Sequence, residues 1–144
     1  MHIRKGLTSF VVLETDSVFK AIEKIEKNKH KIVYVVDSGN RLIGSVTDGD
    51  FRRWVLETGE ATLETSVSKI CNSTVYFLSY NTDSPLIRGE LAARNYSIPL
   101  VDERGRLVAL AESGSRFFEV NGKRLSDEDP AYIIAEIGNN HQGC

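Results

Sequence analysis

Thr47, Asp48 and Asp50 place a hydroxyl and two carboxylates in one short polar turn. An apolar run over residues 42–46 precedes the turn and predicts a buried strand, and a helix is expected from about residue 49 to 57. A strand that delivers such groups to a helix start can offer hydrogen bonds to a small polar ligand. Either aspartate could instead cap the helix by accepting hydrogen bonds from its first turn. The stretch on its own leaves both interpretations open.

The elements that position this turn follow from the spacing of apolar residues. A helix is predicted from Val18 to about Lys27, because Val18, Ala21, Ile22 and Ile25 are spaced three and four apart and a Thr-Asp-Ser start signal precedes them. Continuous apolar runs predict strands, with a polar turn between the second and the third. These strands are residues 10–13, 32–36 and 42–46.

The second half of the chain repeats the order of the first half. Val36-Asp37 recurs as Val101-Asp102, 65 residues later, and Thr15-Asp16-Ser17 recurs as Thr82-Asp83-Ser84, 67 residues later. Strands are expected at 75–78, 98–101 and 107–111, with Pro99 at an edge or strand entry, and a helix carries Leu86, Ile87, Leu91 and Ala92 on its apolar side.

Two copies of strand–helix–strand–strand–helix predict an α/β (α+β) fold in which the repeats share one core. Each copy alone is too small to bury its sheet well, so packing about a pseudo-twofold axis is expected. The predicted domains are residues 1–65 for repeat 1, residues 66–118 for repeat 2, and residues 119–144 for a C-terminal extension.

Composition narrows the classes of protein. The chain is 41% hydrophobic and 26% charged with a net charge of −2, so a nucleic-acid partner is not expected. The two cysteines, Cys71 and Cys144, are too few for a disulfide scaffold or a four-ligand zinc site. No apolar run approaches the roughly 20 residues of a membrane span, and the N-terminus lacks a signal-peptide pattern. A cytoplasmic protein with no membrane partner is the expectation.

Residues 44–53, GSVTDGDFRR, resemble the Gly-x-x-Thr-x-x-Asp signature of CBS-domain pairs, also called Bateman modules. Together with the hairpin VDERGRL at 101–107 and the duplication, the resemblance covers about residues 3 to 118. It implies a regulatory module that binds an adenosine nucleotide (AMP, ADP or ATP) between the repeats, as a ligand and not as a required cofactor. The implied site comprises Ser45, Thr47 and Asp50 from repeat 1 and Val75, Asn95, Tyr96 and Ser97 from repeat 2. By this resemblance, Asp50 would accept hydrogen bonds from the ribose hydroxyls and Thr47 would bind ribose or phosphate.

The second copy departs from that signature. At an offset of 65, Glu112 replaces Thr47 and Ser115 replaces Asp50, while Gly114 matches Gly49. A carboxylate at this point repels phosphate, so one competent site is expected per chain. The pseudo-symmetric cleft would combine Glu112 and Ser115 with Asn28, Lys29 and His30, and we expect it to be empty or to bind another ligand. No histidine or cysteine is spaced to bind a metal together with His30.

Near the C-terminus, residues 132–143, YIIAEIGNNHQG, closely resemble the N-terminal motif of sialic acid synthases. That family condenses phosphoenolpyruvate with an N-acylated amino sugar and uses a divalent metal, and Glu136, Asn140 and His141 fall on its motif. The rest of the synthase barrel is missing here, and the metal would belong to that barrel, so no catalytic residue and no metal site is expected in this chain.

Three hypotheses follow from these features. The first is a nucleotide-sensing module of an N-acetylneuraminate synthase-like polypeptide. The second is a ligand-free assembly module that forms a homodimer through its CBS helices, with Phe51 and Trp54 in the contact. The third is an enzyme in its own right, for which the motif at 136–143 is the sole argument.

Overall fold

The computed structural model describes residues 1–28, 30–94, 96–114, 118–120 and 123–125. The chain divides into two units, Met1–Ser113 and Gly114–Cys144. The strands are β1 (His2–Arg4), β2 (Val11–Leu13), β3 (Ile32–Val36), β4 (Leu42–Thr47), β5 (Leu78–Ser79), β6 (Ile98–Val101), β7 (Leu107–Glu112), β8 (Phe118–Val120) and β9 (Lys123–Leu125). The helices among these residues are α1 (Val18–Lys27), α2 (Asp48–Thr58) and α3 (Ser84–Arg94), and a 3₁₀ turn lies at Val67–Lys69.

The first unit has a mixed α+β fold in which each repeat builds its own sheet. Repeat 1 forms the order β2-β3-β4 and repeat 2 contributes β5, β6 and β7 to the order β1-β7-β6-β5. In both sheets the first and second strands of the repeat are parallel, and the second and third are antiparallel. The duplication predicted from the sequence is therefore present in the strand topology through β7.

The two repeats exchange their leading segments. β1 pairs antiparallel with β7 of repeat 2, so the start of the chain joins the sheet of the other repeat. Reciprocally, Asn72 exchanges two backbone hydrogen bonds with Ser45 on β4, at 2.8 and 3.0 Å. This exchange places a segment of each repeat beside the other repeat's last strand.

Helix α1 has the boundaries that its apolar spacing predicts. The Ser17 hydroxyl is the N-cap and accepts a hydrogen bond from the Lys20 amide at 3.3 Å. Val18, Ala21 and Ile25 are buried on one face, and Lys24 and Lys27 in the last turn interact favourably with the helix dipole. The helix cap and the apolar spacing indicate the same helix boundaries, so the sequence alone predicted α1 correctly.

The core shared by the repeats is a cluster of five buried side chains, drawn from both sheets. These residues are Phe10, Tyr34, Val36, Leu107 and Leu110. The two hairpin turns meet beside this cluster, where the Leu42 amide donates to the Gly105 carbonyl at 3.0 Å and the Leu107 amide to the Asn40 carbonyl at 2.9 Å. The repeats therefore share this buried cluster, as expected, and two further buried clusters lie one in each sheet's packing layer.

Some elements differ from the sequence prediction. β1 was not predicted, because a three-residue strand reading His-Ile-Arg carries no apolar alternation of its own. β5 is confined to Leu78–Ser79, whereas a strand was expected at 75–78. On α3, Ile87 and Leu91 are buried, but Leu86 and Ala92 are exposed, so the predicted apolar side was too wide.

After β7 the two copies diverge. Repeat 1 continues directly into α2, whereas residues 113–114 after β7 are in neither helix nor strand, and the next described residues form β8, which pairs antiparallel with β9 in the second unit. The motif at residues 132–143 lies outside the described residues. Within the described part of the chain, no helix is long and apolar enough to cross a membrane.

Candidate functional site

Thr47 and Asp50 form a capping box at the start of α2. The Thr47 hydroxyl accepts from the Asp50 amide at 3.2 Å, and the Asp50 carboxylate accepts from the Thr47 amide at 2.8 Å and from its hydroxyl at 2.7 Å. The N-cap is therefore Thr47 and not an aspartate, and Asp50 takes part in the cap from the third helical position. The other Asp50 oxygen pairs with Arg53, so both oxygens are fixed in direction. A carboxylate has about four lone-pair positions, and a ligand hydroxyl could share those oxygens with the cap.

A cleft of about 290 Å³ opens beside this capping box, between the two repeats. Four of the predicted site residues line it: Ser45 and Thr47 on β4, and Val75 and Tyr96 from repeat 2. Six polar residues that were not predicted to bind the nucleotide join them: His30, Lys31, Tyr34, Asn72, Thr74 and Tyr76. We call this the first cleft.

Two of the predicted residues, Asp50 and Ser97, are not lining residues of the first cleft. Asp50 lies behind Thr47, whose hydroxyl donates a hydrogen bond to the Asp50 carboxylate, and Thr47 is the lining residue. Ser97 is buried, with its hydroxyl 3.1 Å from the Tyr34 hydroxyl, so it lies behind the cleft wall. Asn95 lies outside the described residues. Whether these residues contact a ligand stays a prediction.

Tyr34 ties the two repeats together at the cleft. Its hydroxyl donates to the Ser97 carbonyl at 2.9 Å, which joins β3 of repeat 1 to the start of β6 in repeat 2. Burial raises the pKa of Tyr34 to about 12, so the phenol is a neutral donor at physiological pH. Little in the amino-acid pattern pointed to this role, because Tyr34 stands in an otherwise aliphatic strand and resembles an ordinary core residue.

Gly44 allows the wall of the cleft to approach β4. A Cβ at this position would overlap the Cys71 sulfur and would lie 2.6 Å from the Asn72 carbonyl oxygen. Both approaches are closer than van der Waals contact, and the second involves backbone that is held by the Ser45–Asn72 bridge. The glycine of the predicted signature is thus explained by packing that positions Asn72 and Thr74.

Basic residues line the first cleft. His30 and Lys31 are among its lining residues, none of the described lining residues carries a carboxylate, and the Lys31 ammonium lies 3.5 Å from the exposed Glu26 carboxylate. Lys31 has φ of 58°, a left-handed backbone conformation that is uncommon for a residue with a side chain. The Arg94 guanidinium lies 3.5 Å from the centre of the Tyr76 ring and fixes that aromatic wall. Such a cleft suits an anionic ligand with an aromatic or polar ring.

The pseudo-symmetric position, which we call the second cleft, holds a group of charged side chains. Glu112, equivalent to Thr47, is buried and pairs with Arg4 at 2.7 Å. The His30 Nε2 atom is 3.6 Å from the same carboxylate oxygen. Asn28 is turned inward, where its side-chain amide donates to the Ile32 carbonyl at 2.7 Å. Of the predicted members of this cleft, Lys29 and Ser115 lie outside the described residues.

Metal-ligating side chains do not cluster in the described part of the chain. Within those residues, no three His, Cys, Asp or Glu side chains come together as a metal site. The synthase-like residues Glu136, Asn140 and His141 lie beyond the residues that the structure describes.

Comparisons with known proteins agree with this architecture. The family model for the CBS domain matches residues 7–57, so a CBS domain is present in the first half of the chain. No curated protein matches the sequence. Solved structures of CBS-domain proteins share the fold.

Three solved structures illustrate the likeness. A CBS domain protein from Streptococcus pneumoniae TIGR4 aligns with a TM-score of 0.64 at 15% identity, over 76% of this chain and 77% of its own. The cytosolic domain of the Mg²⁺ channel MgtE, solved with ATP, aligns at 0.56 and 26% identity, over 72% of this chain and 41% of its own. CbpB, solved with c-di-AMP, aligns at 0.62 and 10% identity, over 69% of this chain and 68% of its own.

Proposed function

We propose that this chain is a regulatory module that binds one adenosine mononucleotide in the first cleft. The observation that carries the proposal is the composition of that cleft: two basic side chains, several hydroxyls and three tyrosines, with no carboxylate among its described lining residues. Phosphate pairs well with such groups, and an aromatic base can pack against tyrosine. The similar structures of MgtE with ATP and CbpB with c-di-AMP support an adenine ligand.

In this proposal the site residues have distinct roles. Ser45 offers its hydroxyl to ribose or phosphate, Thr47 accepts from a ribose hydroxyl because its own proton is donated to Asp50, and Asp50 accepts from ribose hydroxyls at the helix start. Val75 and Tyr96 pack on the base, with backbone at 95–97 reading its edge. Ser97 acts through Tyr34, whose hydrogen bond holds that segment against β3. No further cofactor is required.

The size of the first cleft favours a mononucleotide. Its volume of about 290 Å³ lies at the lower end of the roughly 300–1,000 Å³ of small-molecule sites. A dinucleotide would need a larger opening. We therefore place AMP first among the candidate ligands, followed by ADP and ATP.

The target of regulation is proposed from the C-terminal motif. Residues 136–143 resemble the start of a sialic acid synthase, so the nucleotide would bias a cytoplasmic synthase barrel that is linked to this module. Coupling free energies between two such sites are typically about 1–3 kcal/mol. In this chain by itself we propose no catalytic activity, and a synthase assay with phosphoenolpyruvate should give no product.

A thermal-shift panel tests nucleotide binding on the 144-residue chain. AMP, ADP, ATP, GMP and adenosine are compared with wild-type protein, Asp50→Ala and Asp48→Ala. Asp48 is the matched control, because it shares the first turn of α2 but pairs with Arg52 on the exposed side. AMP should raise the melting temperature of wild-type protein and Asp48→Ala, and the shift should be lost in Asp50→Ala. An absence of any shift in wild-type protein would refute the proposal.

A second candidate function is ligand-free assembly through the helices. Helix α2 has no fully buried residue, and Leu56 on it is 83% exposed, which suits contact with a second copy. Phe51 and Trp54 are packed partly against the core, with ring centres 6.1 Å apart, so Leu56 is the more available contact. A dimer by sedimentation without ligand, converted to a monomer by Leu56→Glu, would favour this function if no nucleotide binds.

A further inference from the structure

The second cleft contains a cluster of charge that the proposed ligand site does not use. Glu112 is only 7% exposed, and its carboxylate accepts from the Arg4 Nε atom at 2.7 Å. Arg4 comes from β1, the leading strand that joins the sheet of repeat 2, and its guanidinium also lies over the Phe10 ring at 5.1 Å. A buried carboxylate without a partner is strongly unfavourable, so the ion pair with Arg4 stabilises the charged form of Glu112 in the fold.

The register of the strands explains how Arg4 reaches this carboxylate. β1 pairs Arg4 with Leu110, two residues before Glu112 on β7. Side chains at alternate positions of a strand share a face, so Arg4, Leu110 and Glu112 point to the same side of the sheet. In repeat 1 the equivalent neighbour of β4 is Asn72, a neutral residue that lines the first cleft. The two clefts thus differ at corresponding positions: Asn72 and Thr47 in one, Arg4 and Glu112 in the other.

His30 lies between the two clefts. It is one of the lining residues of the first cleft, its Nε2 atom lies 3.6 Å from the Glu112 carboxylate, and its ring packs edge-on with Phe10, with ring centres 5.2 Å apart. The charged groups around the ring are therefore Glu112 on β7, Arg4 on β1 and the adjacent Lys31. A change in the charge of Glu112 therefore changes the electrostatic potential at His30, a lining residue of the first cleft.

We propose that the guanidinium of Arg4 is an internal occupant of the second cleft, where it neutralises Glu112 and so keeps a buried carboxylate from repelling an anionic ligand at His30. Arg4 is a positioning residue in this scheme, since it acts on the ligand through Glu112 and His30. The inference rests on the proposed function for its effect on binding. Its effect on folding is independent of any ligand.

Binding is tested with AMP and with adenosine, which lacks the phosphate. Arg4→Met should weaken AMP binding by about tenfold, because Glu112 is then uncompensated near the phosphate, and should leave adenosine binding unchanged. Adding Glu112→Gln to Arg4→Met should restore AMP affinity. The matched control is Lys27→Met, which removes an equal charge from the exposed Lys27–Glu23 pair on α1 and should change neither affinity.

Thermal unfolding without ligand is the second test, and it measures the effect of Arg4 on stability. Arg4→Met should lower the melting temperature by several degrees, and Arg4→Met/Glu112→Gln should recover most of that loss, because the double variant buries no unpaired charge. Equal weakening of AMP and adenosine by Arg4→Met, or no change in either ligand, would overturn the electrostatic role. A double variant less stable than Arg4→Met would overturn the neutralisation itself. If wild-type protein binds neither ligand, the proposed function fails and the binding half of this inference fails with it, while melting still decides the neutralisation.

Discussion

The Tyr34 hydroxyl donates to the Ser97 carbonyl at 2.9 Å and links the central strand of repeat 1 to the start of β6 in repeat 2. Both residues are almost fully buried, and the Ser97 hydroxyl is 3.1 Å from the same phenol oxygen. Because Tyr34 also lines the first cleft, one side chain couples the packing of the repeats to the shape of the candidate site.

Tyr34→Phe should destabilise the fold without changing its shape. The substitution removes the donor and leaves the buried Ser97 carbonyl unsatisfied, at a cost of about 1–3 kcal/mol. Urea unfolding measures this loss, and Tyr80→Phe is the matched control because Tyr80 is exposed. An unchanged free energy of unfolding in Tyr34→Phe would show that the inter-repeat hydrogen bond contributes little.

Alkaline pH should remove a stabilisation that depends on Tyr34. Burial raises its pKa from 10.0 to about 12 in the folded state. Between those two values the unfolded chain has released this proton and the folded chain retains it, so the free energy of unfolding falls as pH rises. The contribution lost over this window is about 2–3 kcal/mol. The stability difference between wild type and Tyr34→Phe should shrink from pH 10 towards pH 12, and a constant difference would contradict the assignment.

Gly44→Ala should be destabilising, whereas Gly89→Ala should not. The methyl group added at position 44 would meet the Cys71 sulfur and the Asn72 carbonyl, and such overpacking costs about 1–3 kcal/mol. Gly89 lies inside α3 with nothing within 4 Å of an added Cβ, and alanine there is expected to stabilise the helix by about 0.5–1 kcal/mol. Chemical denaturation of the two variants should give opposite signs. Equal effects would mean that the approach of the 71–72 segment is not tight.

Leu86→Ala and Ile87→Ala test which face of α3 is buried. Ile87 is 3% exposed and belongs to the core of repeat 2, so its truncation should cost about 2–5 kcal/mol. Leu86 is 56% exposed, and its truncation should stay within about 0.5 kcal/mol. A large loss in Leu86→Ala would place this side chain in a contact, for instance with a second copy of the chain.

Much of the fold could be predicted because local and tertiary signals agree. Helix α1 has a Ser17 cap and a regular apolar face, and the hairpin of β3 and β4 has a continuous apolar run on each side of a polar turn. β1 could not be predicted, since its pairing is set by β7, which lies at the far end of the first unit. Leu86 shows the same limit, because periodicity cannot say how wide a buried face is.

The site was predicted in part for a related reason. Thr47 and Ser45 are local to a recognisable signature, and Val75 and Tyr96 followed by position from the duplication. Lys31, Asn72 and Tyr76 were missed as cleft residues because only the exchange of leading segments brings them together. Nothing in the sequence indicated a role for Arg4, since its partner Glu112 is 108 residues away.

Calorimetric titration of AMP into the wild-type 144-residue chain tests the central proposal most directly. The structure of the two clefts leads us to expect one site per chain, with Asp50→Ala losing the heat of binding and Asp48→Ala retaining it. Two equivalent sites per chain, unchanged binding in Asp50→Ala, or no binding of any adenosine nucleotide to wild-type protein would contradict it.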